Sequence, residues 1–504
     1  MNTPTSPLIG FAGFLVAVGV FVGLAAIVGG VAVGDASVGI YATWAIEHGR
    51  LVCAYPPAVH LREIPSIARP WTTETPFYPI ISGVAAAIFR IGHATPFPTS
   101  AQLGANCLHG YTTMFRWSVR SNAATSTLRV GYLSGVVLLG GVATYLRAAR
   151  RGWHRGSLLA LIVVASLAPV LGSIVQYFHP QDLVAMGLIL AGGAGVLRGR
   201  WVVAGVFIGL AIVTQQFALL PALAFVVVLP AKARWRFFVA AAVAVLVVDL
   251  PFLVATSGRA FHAVVIGTGF SPSLGGTVLW ELGLHGPALF VAARVAPIVA
   301  TGCIAWWVRH HFGDEVLSPV VLTSLIGVSL TMRLVFEVNL WPYYFMALAV
   351  SMVVLEAVRG RVRSSVVAWL ITVTLAFDPL PGIFQSNAKI SDIYLRLDLS
   401  EVIVGAFALY VVVSFLRQRH RWFWLIWTVA AAAAFVHVPV IDVLARYVWR
   451  TWLWQVLLVP SGLALVAAPG YRMWSSHPNG VDQSLDVVGA NAEVVGDDGT
   501  SRIP

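Results

Sequence analysis

Long apolar stretches recur along this chain at the length of a bilayer-crossing helix, and polar connections separate them. Spans are predicted near 8–33, 128–146, 157–177, 183–197, 201–217, 218–230, 237–255, 287–308, 317–336, 341–358, 366–385, 399–416, 422–441 and 451–469. A hydrocarbon core roughly 30 Å thick needs about 20 apolar residues per helix, and most of these runs supply that. The pair between Arg200 and Lys232 is the exception, since about 30 residues would have to cross twice around Gln215-Gln216. A β-barrel would instead show short segments of alternating polarity. The pattern predicts an all-α, polytopic transmembrane helix bundle of about 12–14 spans.

Basic residues sharpen this picture because they fall on alternate sides of the apolar runs. Arg147, Arg150, Arg151 and Arg155 flank one connection; Arg198 and Arg200, then Lys232, Arg234 and Arg236, then Arg309 follow. Arg359, Arg361 and Arg363, and finally Arg417, Arg419 and Arg421, complete the series. Two apolar segments separate each cluster from the next, as expected if Arg and Lys stay cytoplasmic. The other set of loops holds Asp35, His179-Pro180-Gln181-Asp182, Glu281, Glu337 and Asn339, so the chemistry faces outward from a bacterial plasma membrane. Residues 1–470 read as one transmembrane domain. Residues 34–127 form its long extracytoplasmic first loop, which carries interfacial helices, and 471–504 form a disordered cytoplasmic tail. The apolar run Phe77–Ile91 within that loop fits a re-entrant or interfacial helix, because a lone crossing there would invert the Arg147–Arg155 cluster.

Composition narrows the class further. With 58% hydrophobic and 11% charged residues, the chain has no counterpart among soluble proteins of this length. The net charge of +11 resides in short cytoplasmic loops, so topology and anionic headgroups account for it and nucleic acid is not implied. Residues 8–33 are too long for the apolar core of a signal peptide and stay as the first span. Cys53, Cys107 and Cys303 lack metal-ligand spacing. Cys53 and Cys107 could both face the oxidising side and pair, although nothing in the sequence selects that pairing. Phosphate-loop, dinucleotide, HExxH and CxxC signatures are all missing from the sequence.

The outward residues carry two readings each. Asp35 directly follows the first span, and Val38, Tyr41, Ala45 and His48 then repeat at helical spacing, with Gly49 placed to end the helix. Asp35 would serve either as the cap of that helix or as a general base raised toward usefulness by partial desolvation. The segment His179-Pro180-Gln181-Asp182 is either a tight connection into the next helix or a ligand-facing group in which His179 meets a phosphate or sugar hydroxyl. Arg333 lies at the outward end of its span and needs a partner. Glu337, four residues on, suits a structural pair, and an anionic headgroup suits binding. The segment from Leu340 to Phe345 supplies either an interfacial aromatic belt or part of a binding surface.

Together, an acid just after the first span, Tyr41 six residues beyond it, an outward His-Pro motif and a late Arg…Glu…Leu-Trp-Pro-Tyr-Tyr segment resemble the integral-membrane GT-C glycosyltransferases. The resemblance is greatest to the actinobacterial mannosyltransferases that use polyprenyl-phosphate donors. It covers most of the chain as topology, but only the Asp35 and His179 regions as motif. It implies an inverting transfer of a sugar, mannose in those relatives, from a polyprenyl phosphate to a lipid-linked or envelope glycan acceptor. Asp35 would be the base, and Tyr41, His179, Gln181, Asp182, Arg333, Glu337 and Asn339 would bind substrate among the membrane lipids. A second acid beside Asp35, present in metal-dependent relatives, is missing here, so no divalent metal or other cofactor is implied. A lipid or glycolipid flippase, and a non-catalytic scaffold for envelope assembly, are the rival readings from other classes.

The topology has a direct test. In a cysteine-free background, cysteines placed at Thr99 and Asn122 should react with an impermeant maleimide added outside the cell. Labelling of either from the cytoplasm alone would invert the first loop and separate Asp35 from the other outward residues.

Overall fold

The computed structural model describes residues 4–28, 107–120, 124–150, 152–175, 179–258, 282–337 and 344–359, together with positions 41, 45, 49, 50, 53, 101 and 279. The predicted spans over 366–469, the run at 77–91 and the tail lie outside the described residues.

What is described is a helical bundle. Its helices are α1 (Pro7–Val28), α2 (Cys107–Arg120), α3 (Ala124–Ala149), α4 (Arg155–Ser166), α5 (Ala168–Val175) and α6 (Pro180–Leu197). They continue as α7 (Trp201–Ile212), α8 (Leu219–Val228), α9 (Ala231–Ala255), α10 (Gly286–Phe312), α11 (Pro319–Phe336) and α12 (Phe345–Val358). Six apolar stretches, in α1, α3, α6, α9, α10 and α11, are long and apolar enough to cross a membrane. The chain is therefore a helical membrane protein.

Three of the expected spans differ in detail. The run over 157–177 is not one helix. It breaks at Leu167, whose backbone is extended. Pro169, in the first turn of α5, explains the break, since proline offers no N–H to a continuing helix and its ring clashes with the carbonyl four residues back. The stretches over 201–217 and 218–230 become α7 and α8, of 12 and 10 residues. At about 1.5 Å per residue each is well short of a hydrocarbon core. Gln215-Gln216-Phe217 forms the turn between them, deep enough to meet residues of other helices.

Short-range chemistry sets the helix ends. Ser318 accepts from the Val321 N–H at 3.4 Å and Pro319 follows at the first helical position. Pro180 opens α6 in the same way. Gly313 ends α10 at φ +54°, a conformation that favours glycine. In the first loop Tyr41 and Ala45 are helical and buried, and Gly49 sits at φ +67° with the Arg50 N–H donating to the Ala45 carbonyl at 2.7 Å.

Packing follows small residues. A Cβ on Gly141 of α3 would land on the Gly187 carbonyl of α6, and one on Gly187 would meet the Val137 carbonyl at 2.6 Å. Gly195 packs on Ala204 of α7, while Gly205 and Gly209 admit the backbone of α9 at Phe237 and Ala241. Backbone approach of this kind is how helices associate where lipid gives no hydrophobic drive. Several buried hydroxyls are satisfied within their own helices: Ser329, Thr331 and Ser351 each donate to a carbonyl four residues back. Outer faces of α9 and α10 stay apolar and accessible, with Val247 69%, Val254 72%, Val291 62% and Val299 55% exposed.

The two ends of the bundle are chemically distinct. At the arginine-rich end, Arg150 donates to the carbonyls of Ala357 and Val358, joining the ends of α3 and α12. Tyr145 shares a 2.8 Å hydrogen bond with Thr323 at the start of α11. The N-terminal strand β1 (Pro4–Thr5) pairs antiparallel with β2 (Trp153–His154), which fixes the start of α1 at this same end. Consequently α1 delivers the chain to the opposite end, seven residues ahead of Asp35. Cys53 and Cys107 form a disulfide, with Cα atoms 5.0 Å apart. A cross-link over 54 residues restricts the unfolded chain by about 4 kcal/mol in the loop-entropy account.

Neighbouring glycines test the packing argument. Gly141→Ala should cost about 1–3 kcal/mol, read as a lowered thermal midpoint in detergent, because the Cβ meets backbone. Gly140→Ala, where an added Cβ meets nothing within 4 Å, should be neutral or slightly stabilising. Equal effects at the two positions would contradict close α3–α6 contact.

Candidate functional site

At the end opposite the arginines, five elements converge: the start of α6, the 213–218 turn, the start of α10, the end of α11 and the start of α12. Arg333, in the last turn of α11, is the centre. Its guanidinium lies between the Phe217 ring at 4.7 Å and the Tyr344 ring at 4.4 Å. Its Nε meets Glu337 Oε2 at 3.4 Å. The four-residue pair read from the sequence therefore forms, with Arg333 and Glu337 only 17% and 23% exposed. Sandwiching by two rings and one carboxylate compensates a cation that would be costly at membrane depth.

The start of α6 faces the same charge. Arg333 acts electrostatically on both His179 and Asp182. Asp182 is 1% exposed, and its Oδ1 accepts from Gln215 Nε2 at 2.6 Å. Gln181, 2% exposed, donates through Nε2 to His179 Nδ1 at 3.1 Å. That bond makes Nδ1 the acceptor, so the ring proton sits on Nε2. His179 keeps a little accessible surface but is otherwise enclosed by protein. Burial, reinforced by the Arg333 charge, pushes its basicity down to about 3. His179 is a neutral hydrogen-bonding group at physiological pH. Among the described residues, Gln181 Oε1 is buried with no hydrogen-bond partner, leaving an acceptor within the cluster.

Thus His179, Gln181, Asp182, Arg333 and Glu337 come together as one polar cluster. Tyr41 is described at a different contact: it is 5% exposed and donates from its hydroxyl to the Cys107 carbonyl at 2.8 Å. Burial pushes its phenol up to about 12, and nearby Arg50 pulls it back only in part, so Tyr41 acts as a donor. Asp35 and Asn339 lie outside the described residues. No group of three or more His, Cys, Asp or Glu suited to holding a metal occurs among the described residues.

Several contributors were missed by the sequence reading. Gln215, Gln216 and Phe217 were read as a span boundary, yet Gln215 holds Asp182 and Phe217 supports Arg333. Arg294, in the N-terminal half of α10, donates to Gln216 Oε1 at 3.0 Å. Asp249 of α9 is half-buried, with one carboxylate oxygen unpartnered among the described residues. For Gln215, Gln216, Arg294 and Asp249 the signal was present, polar or charged residues interrupting an apolar run. No known protein family matches the sequence, and no curated protein matches it.

The enclosed histidine fixes a pH dependence. Its folded-state value near 3 lies below the unfolded 6.5, so between these values the unfolded chain binds the extra proton. Stability is therefore fully present above pH 6.5 and is lost as pH falls toward 3. Lowering the pH from 7.5 to 5 should destabilise the wild type relative to His179→Gln by on the order of 1–2 kcal/mol, seen in thermal midpoints in detergent. Parallel curves for the two proteins would show that His179 is not enclosed.

Proposed function

We propose that this protein is a membrane glycosyltransferase that moves a sugar, mannose by the family resemblance, from a polyprenyl phosphate to a lipid-linked or envelope glycan acceptor outside the cytoplasm. The observation that carries the reading is the Arg333 guanidinium, held between Phe217 and Tyr344 beside His179 and Asp182, at the end where α1 releases the chain toward Asp35. A departing lipid phosphate develops negative charge, and a pre-positioned cation in a largely dry setting stabilises it strongly. His179, neutral and with its proton on Nε2, lies in the same cluster. Gln181 Oε1 offers an acceptor for a sugar hydroxyl. The Cys53–Cys107 disulfide supports an extracytoplasmic first loop, since such bonds persist in oxidising compartments.

Inversion at the sugar carbon needs a base and no protein nucleophile. Asp35 would accept the proton of the acceptor hydroxyl as its oxygen forms the new bond to the sugar carbon. As that bond forms, the bond from the same carbon to the phosphate oxygen breaks, and the lipid phosphate leaves with the electron pair. Glu337 holds Arg333, and Gln215 holds Asp182, so the binding groups are fixed before substrate arrives.

Membranes carrying the protein should transfer radiolabelled sugar from polyprenyl phosphate to an endogenous lipid. Asn caps a helix about as well as Asp, so Asp35→Asn should express and extract like wild type. Because the amide takes no proton at neutral pH, transfer should fall about 10²–10⁴-fold. Full activity in Asp35→Asn would remove the base from this mechanism. Movement of the intact glycolipid across vesicles, with no sugar transferred, would replace the transferase with a flippase.

A further inference from the structure

Arg294 stands apart from the basic residues gathered at the arginine-rich end of the bundle. The arginines and the lysine at 147, 150, 155, 198, 200, 232, 234, 236, 309 and 359 sit at the opposite end, where positive charge is expected in the short loops. Arg294 instead occupies the first turn of the apolar window Val291–Phe312, on a face lined by the exposed Val291, Val295 and Val299. A charge in such a place is rare and marks a path for substrate or ion. Its setting also differs from that of Arg333. Arg333 is stacked between two rings and faces Glu337, whereas Arg294 is exposed and its hydrogen-bond acceptor among the described residues is the neutral amide oxygen Gln216 Oε1 at 3.0 Å. No carboxylate pairs with it among the described residues. Among the described residues one of its five N–H donors is used, and a guanidinium fork suits phosphate oxygens.

The link to the cluster is short. Gln216 carries Arg294, and Phe217, the next residue, lies under Arg333. Leu289, Ala292 and Ala293 on α10 belong to one small apolar group with Phe336, the residue just before Glu337. The outward ends of α10 and α11 are therefore adjacent, with the membrane-facing cation on one and the enclosed cation on the other.

We propose that Arg294, oriented by Gln216, is a docking point for the phosphate of a lipid that approaches the Arg333 cluster from the membrane-facing side of α10. The proposal rests on the transferase reading for the identity of that lipid, a polyprenyl phosphate, while the recognised chemistry is a lipid-borne phosphate. Hydrocarbon chains lie against the exposed valines as the phosphate reaches the guanidinium. The phosphate then passes the 216–217 turn to Arg333. Arg294 is a positioning residue whose effect appears in lipid capture and KM rather than in the chemical step.

The test is native mass spectrometry of the full-length protein in detergent, titrated separately with a sugar-free polyprenyl phosphate, with phosphatidic acid and with inorganic phosphate. Arg294→Gln should weaken polyprenyl-phosphate binding by about 10-fold or more, with Arg294→Lys between it and wild type. Arg309→Gln at the opposite end should bind like wild type, and unchanged thermal midpoints should accompany all three. Phosphatidic acid bound with the same Arg294 dependence would identify a headgroup site for lipid phosphates at large. Preference for the polyprenyl chain would identify the donor. Inorganic phosphate should bind far more weakly than either lipid. Binding by Arg294→Gln equal to wild type, or binding of inorganic phosphate as tight as that of the lipids, would overturn the proposal. Arg294-dependent lipid capture without any sugar transfer by wild type would sink the transferase reading and leave the docking point standing.

Discussion

A positive charge placed at the end of a buried helix needs compensation from several directions at once, and Arg333 receives it from four elements. Phe217 comes from the turn between α7 and α8, Tyr344 from the start of α12, Glu337 from the chain just beyond α11, and the acid Asp182 from the first turn of α6. None of these contacts is worth much singly, since a cation–π contact or a partly exposed ion pair contributes about 1 kcal/mol. Their value lies in coincidence: moving any one element would leave a buried charge short of partners, at a cost larger than the contact itself. The ends of α6, α11 and α12 are thereby locked to the short-helix turn.

Such a lock requires helices that pack closely along their lengths. The Gly141–Gly187 crossing brings the α3 and α6 backbones together, and Gly205 and Gly209 do the same for α7 and α9. At the far end, Arg150 and Tyr145 tie α3 to α12 and α11 through backbone carbonyls and Thr323. The bundle is braced at one end by hydrogen bonds to exposed helix termini and at the other by an enclosed charge cluster. Only the second arrangement brings neutral, acidic and cationic groups together in a place shielded from water, where their interactions with a charged ligand are strong.

Alternation of apolar runs with arginine clusters was enough to sort the described helix ends into two sets, and the structure keeps that sorting. It placed His179, Asp182, Arg333 and Glu337 in one layer, because polarity pattern and helix direction are local properties. Single residues within apolar runs carried less information. Gln215 was read only as a turn and Arg294 was not singled out, since their meaning depends on the carboxylate or amide they meet from another helix. The break at Leu167 was legible in Pro169 but lost under the strong apolar signal around it.

By itself, the sequence determined that the chain is a helical membrane protein, which of its connections share a side, and where Asp35 follows the first span. Those outcomes rest on hydrocarbon thickness, backbone satisfaction and charge bias, which act on segments one at a time. The tertiary structure alone decided that Arg333 is sandwiched between Phe217 and Tyr344, that Cys53 pairs with Cys107, and that Gln216 joins Arg294 to the cluster. Each of these joins residues far apart in the chain, and only the close packing of glycine-lined helices fixes which distant side chains fall within contact range.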